Sequence, residues 1–274
     1  MLVPVGVGVV VSAPKQYDTE DEWSWASAPT VTVTDAAGTA LTAPSVAGTS
    51  PYAATLTSTA HTHRPDVLTV TWTGTVSGAA VTCSTEVEVV SVLPADLTDL
   101  QATPSTAADG DLTTTRLKAF RQEFLDLCDE YLHWSPVRRL RSVQAPAYAG
   151  SVTLDRDNAT VRQVTDPDGT AVTGWTQDGP VVDLGVYSSD PLTVWFVHGA
   201  DSVPRAARQA CVEYVRASAN AEASGVQRDA ISVAYDGATT RYSTADRSAR
   251  RITGYLVVDR LLNQLPNHNV PHVA

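Results

Sequence analysis

"LTVWFVHGADSVPRAARQACVEYVRA", residues 192–217, runs from a strand into a helix within a few residues, and that junction decides the fold class. LTVWFVHG has the β-branched and aromatic content of a strand. Pro204 suits a first helical turn, with Asp201 and Ser202 just before it as candidate caps. The helix continues over 205–223, and Ala207, Cys211, Tyr214 and Val215 mark its buried side. A chain that makes this transition combines sheet and helix, and the reading is α+β with an added all-β domain.

Upstream, residues 137–198 give strands at VRRLRSVQ, SVTL, TVRQVTD, TAVTGW and VVDL. DPDGT, 166–170, is a turn signal that should close a hairpin. Before them lies a helix over 115–134, with Leu117, Phe120, Phe124, Leu127 and Tyr131 on one stripe and Pro136 as its stop. Downstream, STADRSARRITGYLVVDRLLNQL forms a last helix. Ser243 and Asp246 stand at capping-box spacing, Ile252, Tyr255, Leu256, Leu262 and Leu265 form the stripe, and Pro266 ends it. Between the two final helices, Ile231, Val233 and Tyr235 alternate with Ala230, Ser232 and Ala234. That is the period of a strand, met in a connection with no strand beside it.

Residues 1–93 read as strands at 2–11, 30–34, 53–58, 67–73 and 81–93, separated by Gly, Pro and Ser clusters. Such spacing predicts an immunoglobulin-like β-sandwich over 1–95, without the cysteine pair of antibody domains. A linker over 96–111 leads to a second domain, 112–274.

The 274 residues suffice for two cores. Net charge is −11, unevenly spread: residues 1–95 hold 8 acidic and 2 basic groups, residues 96–274 hold 22 and 17. So acidic a chain lacks the clustered cations of a dedicated nucleic-acid binder. Cys83, Cys128 and Cys211 are odd in number and far apart, which excludes a disulfide framework or a zinc pattern. The valine-rich start reads as a first strand rather than a signal peptide, and the expectation is a cytosolic product. His61 and His63 read as a solvated loop pair, and the acidic residues of DRDN and DPDG as turn chemistry without calcium-loop spacing. His198 stands at a strand end with no nucleophile elbow in the sequence, and no phosphate loop occurs. The expectation is no enzyme, no metal and no cofactor.

PVRRLRSVQA, SVTLDRDNATVRQVTDPDGTAVTGW, LTVWFVHGADSVPRAARQACVEYVRA, RDAISVAYDG and the closing STADRSARRITGYLVVDRLLN follow one another over about 112–265. In that order they resemble the head-to-tail adaptor, or head-completion, proteins of long-tailed bacteriophages, particularly those of actinobacteria. The resemblance implies a helical adaptor core with an inserted small antiparallel sheet. It further implies a structural virion protein of the neck, between capsid and tail, forming a dodecameric ring below the portal. The ring's partners would be the portal protein and a stopper or other neck protein; DNA would pass through without specific binding, and no membrane is involved. The contact residues expected on this basis are Arg205, Arg208, Arg216, Arg247, Arg250 and Arg251 between subunits. Ile231, Val233 and Tyr235 would add a strand to a neighbour, and Asn267, His268, Val270 and His272 of the tail would reach the portal. The alternative is a secreted or surface β-sandwich binding protein.

Overall fold

The computed structural model describes residues 1–13, 25–48, 52–76, 78–101, 114–156, 158–223, 232–235, 238–241, 253 and 255–265. They form a mixed α+β protein, mostly strands in several sheets, with four helices. The chain divides into two compact units, Met1–Val92 with Arg138–Gly199, and Leu93–Val137 with Ala200–Ala274. These limits group 138–199 with the N-terminal strands, whereas the sequence reading grouped them with the helices.

The described residues among the first ninety form seven strands: β1 (Leu2–Pro4), β2 (Val9–Ser12), β3 (Thr30–Thr34), β4 (Ser45–Ala47), β5 (Ala53–Leu56), β6 (Asp66–Val76) and β7 (Ala79–Val90). One sheet has the order β1-β7-β6-β3, the other β2-β5-β4. β1 runs parallel to β7, and every other pairing is antiparallel. Alternation sets the faces. Leu68, Val70 and Trp72 point inward from β6 and meet Val31 and Val33 of β3, Val87 and Val89 of β7, and Val11, Ala54 and Leu56 of the other sheet in one core. Burying a side chain such as Leu56 or Leu68 stabilises by about 1.5–3 kcal/mol.

His61 corrects the reading of a solvated pair. It is buried, its Nδ1 accepts from the Thr57 amide at 3.0 Å, and its Nε2 lies 2.8 Å from the Thr42 carbonyl, while His63 is exposed. With Nδ1 accepting, Nε2 carries the proton and donates to Thr42. The ring staples two loops.

Residues 138–199 add β8 (Arg139–Ala145), β9 (Ser151–Thr153), β10 (Thr160–Thr165), β11 (Ala171–Val172), β12 (Thr176–Asp178), β13 (Val181–Asp183) and β14 (Leu192–His198). They make two antiparallel sheets, β11-β10-β14-β8 and β12-β13-β9, around a core of Val161, Val164, Val182, Leu184, Val194 and Phe196 with their neighbours. Seven strands with their own core exceed the small inserted sheet expected. The 166–170 turn closes the β10–β11 hairpin as the sequence indicates: Gly169 takes φ 81°, and the Asp166 carboxylate accepts from the amides of Asp168 and Thr170.

The second unit holds α1 (Leu97–Gln101), α2 (Thr114–Leu132), α3 (Arg205–Ala223), the hairpin β15 (Ser232–Tyr235) with β16 (Ala238–Arg241), and α4 (Leu256–Leu262). α3 touches both α2 and α4, through Phe124–Tyr214 and Tyr214–Tyr255 ring contacts at 5.8 Å each. Of the stripe read on α2, Leu117, Phe120 and Phe124 are buried and Leu127 is partly buried, while Leu125, Cys128 and Leu132 are buried beside them; the Tyr131 side chain lies outside the described part. On α3, Ala207, Cys211, Tyr214 and Val215 are all buried.

Three expectations change here. The stretch read as linker begins with α1, whose Leu100 is buried. α2 ends before Pro136 acts: His133 turns left-handed at φ 50°, a conformation histidine tolerates better than bulky residues. α4 starts at Leu256, because Tyr255 is extended (φ −101°, ψ 110°), so no single helix runs unbroken through Tyr255 to Leu265. Asp259 holds that start. It accepts from the amide and hydroxyl of Thr253 at 2.9 and 2.8 Å, and the Thr253 hydroxyl accepts from the Tyr255 amide at 3.2 Å. Ser243 and Asp246 lie outside the described residues.

Candidate interaction surfaces

The expected subunit contacts begin on α3. Arg205 is exposed in its first turn. Arg208 bonds Asp99 of α1, and that hydrogen bond lowers the Asp99 carboxyl below its usual range and raises the Arg208 guanidinium. Arg216 lies 4.0 Å from Glu213, one turn away. Two of these three arginines therefore have a carboxylate within their own chain. Arg247, Arg250 and Arg251 lie outside the described residues, as do Ile231 and the tail residues Asn267, His268, Val270 and His272.

Val233 and Tyr235 lie on β15, and here the expectation of a strand without a sequence neighbour is overturned. β15 pairs antiparallel with β16, in the register Val233↔Thr240 and Tyr235↔Ala238. The partner went unseen because ATTR has no apolar alternation to mark it. Among the described residues this sheet has two strands, so each strand keeps an outer edge. A two-stranded hairpin is marginal in isolation.

Sequence reasoning missed Tyr148 and Tyr187, which are 69% and 80% exposed. Tyr148 takes φ 61°, rare for a bulky residue, and its amide bonds the Ser188 carbonyl at 2.7 Å. The Tyr187 ring lies where a side chain at Gly150 would stand, 3.2 Å from that β-carbon position. The available signal was a tyrosine set among small residues in each of two loops, AYAGS and GVYSS. The outward face of the first sheet was also missed. Its registers align Thr30, Thr73 and Thr82, then Thr32, Thr71 and Ser84, then Thr34, Thr69 and Glu86. Threonine suits exposed sheet faces through its β-branch, which accounts for the pattern without a ligand.

Chemistry is sparse. Among the described residues no group of three His, Cys, Asp or Glu side chains could hold a metal. His198 ends β14, is buried, and tilts against Phe196 at 5.9 Å. Burial pushes the Cys211 thiol up to about 12, and it raises the half-buried Cys83 as well; neither is a thiolate nucleophile at neutral pH. Arg121 is buried on α2, donates to the Ala95 carbonyl at 3.0 Å, and has its guanidinium lowered by desolvation. Among the described residues no helix is long and apolar enough to cross a membrane. No family model matches this chain, and no curated protein matches it.

Proposed function

We propose that this chain is a structural virion protein, a head-to-tail adaptor that assembles as a ring below a portal and joins capsid to tail. The observation that carries the reading is the order of elements over 114–262. A helix (α2) is followed by antiparallel strands and the DPDGT hairpin, then by a strand ending at His198–Gly199. After that come a helix opened at Pro204, a short S-V-A-Y strand and a closing helix. The acidic balance suits a conduit that must not grip DNA, since few cations release few counterions.

Residues 1–92 would be an immunoglobulin-like addition to that core. If β2 to β7 are strands B to G, the two sheets hold C-F-G and B-E-D, the partition of that fold. The rival reading, a surface binding module, needs an aromatic platform on these sheets. The large exposed apolar residues described there are Met1, Val7, Val10 and Val92, none aromatic.

In a ring, β15–β16 would extend a neighbour's sheet, and the tail after Leu265 would meet the portal. Negative-stain images of the protein mixed with the portal encoded beside it test the reading. Rings capping the portal are expected; a protein that stays monomeric and never joins the portal contradicts it. Val233→Pro should disrupt the hairpin and block ring formation while leaving the helical signal intact.

A further inference from the structure

The chain contains one turn twice. V-T-D-A-A-G-T-A-L-T, residues 33–42, and V-T-D-P-D-G-T-A-V-T, residues 164–173, agree at seven of ten positions. They also fold alike. In each, the Asp amide bonds the Thr carbonyl (Asp35–Thr39 at 2.9 Å, Asp166–Thr170 at 3.0 Å), and the Gly amide bonds the Asp carbonyl. Each Asp carboxylate accepts from the amides two and four residues on. Gly38 and Gly169 share a left-handed φ of 83° and 81°. The two turns belong to different β-cores, and they touch: a β-carbon at Gly169 would lie 3.2 Å from the Ala37 carbonyl oxygen.

Arginine secures this contact. Arg162 of β10 donates to the Pro65 carbonyl at 3.1 Å and to Asp66 at 2.8 Å, and it stands 3.6 Å from Asp35. Arg64 approaches both carboxylates at 3.7 Å. Asp35 and Asp66 are buried, and backbone amides take up their remaining oxygen. A second joint lies where the chain leaves and re-enters the unit. Arg139, 1% exposed, makes a bidentate pair with Glu88 at 2.5 and 2.9 Å, and Arg141 joins at 3.3 Å. Beside it, Ser91 and Arg138 exchange two hydrogen bonds, at 3.0 and 3.1 Å.

We propose that these two joints form an ionic latch in which 138–199 is a built-in docking partner for 1–92. Neither hydrophobic cluster borrows residues from the other: one draws on 3–89, the other on 145–196. Bidentate arginine–carboxylate geometry fixes orientation as well as contact, so the latch holds the N-terminal region at one angle. The joints differ in exposure. Arg64 is 44% exposed, so salt weakens the turn joint first, while the buried Glu88–Arg139 pair persists as the pivot. This holds whether or not the chain is an adaptor.

Hydrogen exchange on the full-length protein tests the latch, with Arg162→Met, Glu88→Gln and the double variant. In the wild type, amides of the first core (Val33, Val70) and of the second (Val164, Val194) should open together. In the double variant the two sets should separate by at least tenfold in protection, both staying protected. Each single variant should separate them less, and 0.5 M salt should enlarge the separation in Glu88→Gln more than in Arg162→Met. Two sets that keep step within threefold in the double variant would overturn the latch. So would loss of protection in both sets at once, which would mean the cores do not stand apart.

Discussion

The two units of this molecule are held by different physics. The helical unit is closed by rings: Phe124 of α2, Tyr214 of α3 and Tyr255 at the head of α4 meet in tilted and edge-on contacts, where fit and area set the energy. The β unit encloses two apolar cores and joins them with arginine–carboxylate pairs, where direction and charge set it. Apolar packing tolerates volume-conserving swaps, whereas a buried ion pair tolerates neither the loss of one partner nor a change of shape. Substitutions in the two units should therefore differ in size and in what they uncouple.

The largest effect is expected from Phe124→Ala, which empties a fully buried aromatic site and should cost about 3–5 kcal/mol. Calorimetry should show the loss in the helical unit alone; an equal loss in the β unit would break the division. Next comes Glu88→Gln, which keeps the shape but removes the charge facing Arg139, at about 2–3 kcal/mol. That loss should fall on the β unit.

A smaller and sharper test compares two glycines. Gly38→Ala and Gly169→Ala impose the same left-handed strain, about 1–2 kcal/mol each. A β-carbon at Gly38 meets open space, while one at Gly169 meets the Ala37 carbonyl. Urea unfolding should show Gly169→Ala as the more damaging, and equal effects would remove the turn-to-turn contact from the account.

The smallest effect belongs to Asp99→Asn. Arg208 lowers the Asp99 carboxyl in the folded state, so its contribution is present above the usual carboxylate range and is lost as pH falls through the lowered value. Both groups are solvent-exposed, and the melting temperature at neutral pH should barely move.

Much of the fold was legible because periodicity is local. The stripes of α2 and α3, the strands β3, β6 and β7, and the DPDGT hairpin follow from side-chain spacing and turn chemistry within a few residues. What stayed hidden depends on chain segments far apart. Glu88 and Arg139 are 51 positions apart, and nothing in either neighbourhood announces the pair. His61 reads as solvated because its donor and acceptor, the Thr57 amide and the Thr42 carbonyl, come from two loops. The start of α4 depends on Asp259 reaching back to Thr253, which an apolar stripe does not reveal. The repeated V-T-D-x-x-G-T-A turn was visible in the sequence, but its meaning required seeing that its copies touch. The sequence also sets residues 1–95 apart as a separate domain. Their deletion would leave Arg139, Arg141 and Arg162 without Glu88 and Asp66, so the remaining chain should be soluble only with its second β-core weakened.

The most direct measurement is native-state hydrogen exchange on the intact wild-type chain, which sorts amides by the opening event they share. The account predicts that Val164 and Val194 exchange with Val33 and Val70, at one free energy, and apart from Phe124 and Tyr214. If Val164 and Val194 instead opened with the helices while residues 1–92 opened alone, the boundary would lie at the linker and the central claim would be contradicted.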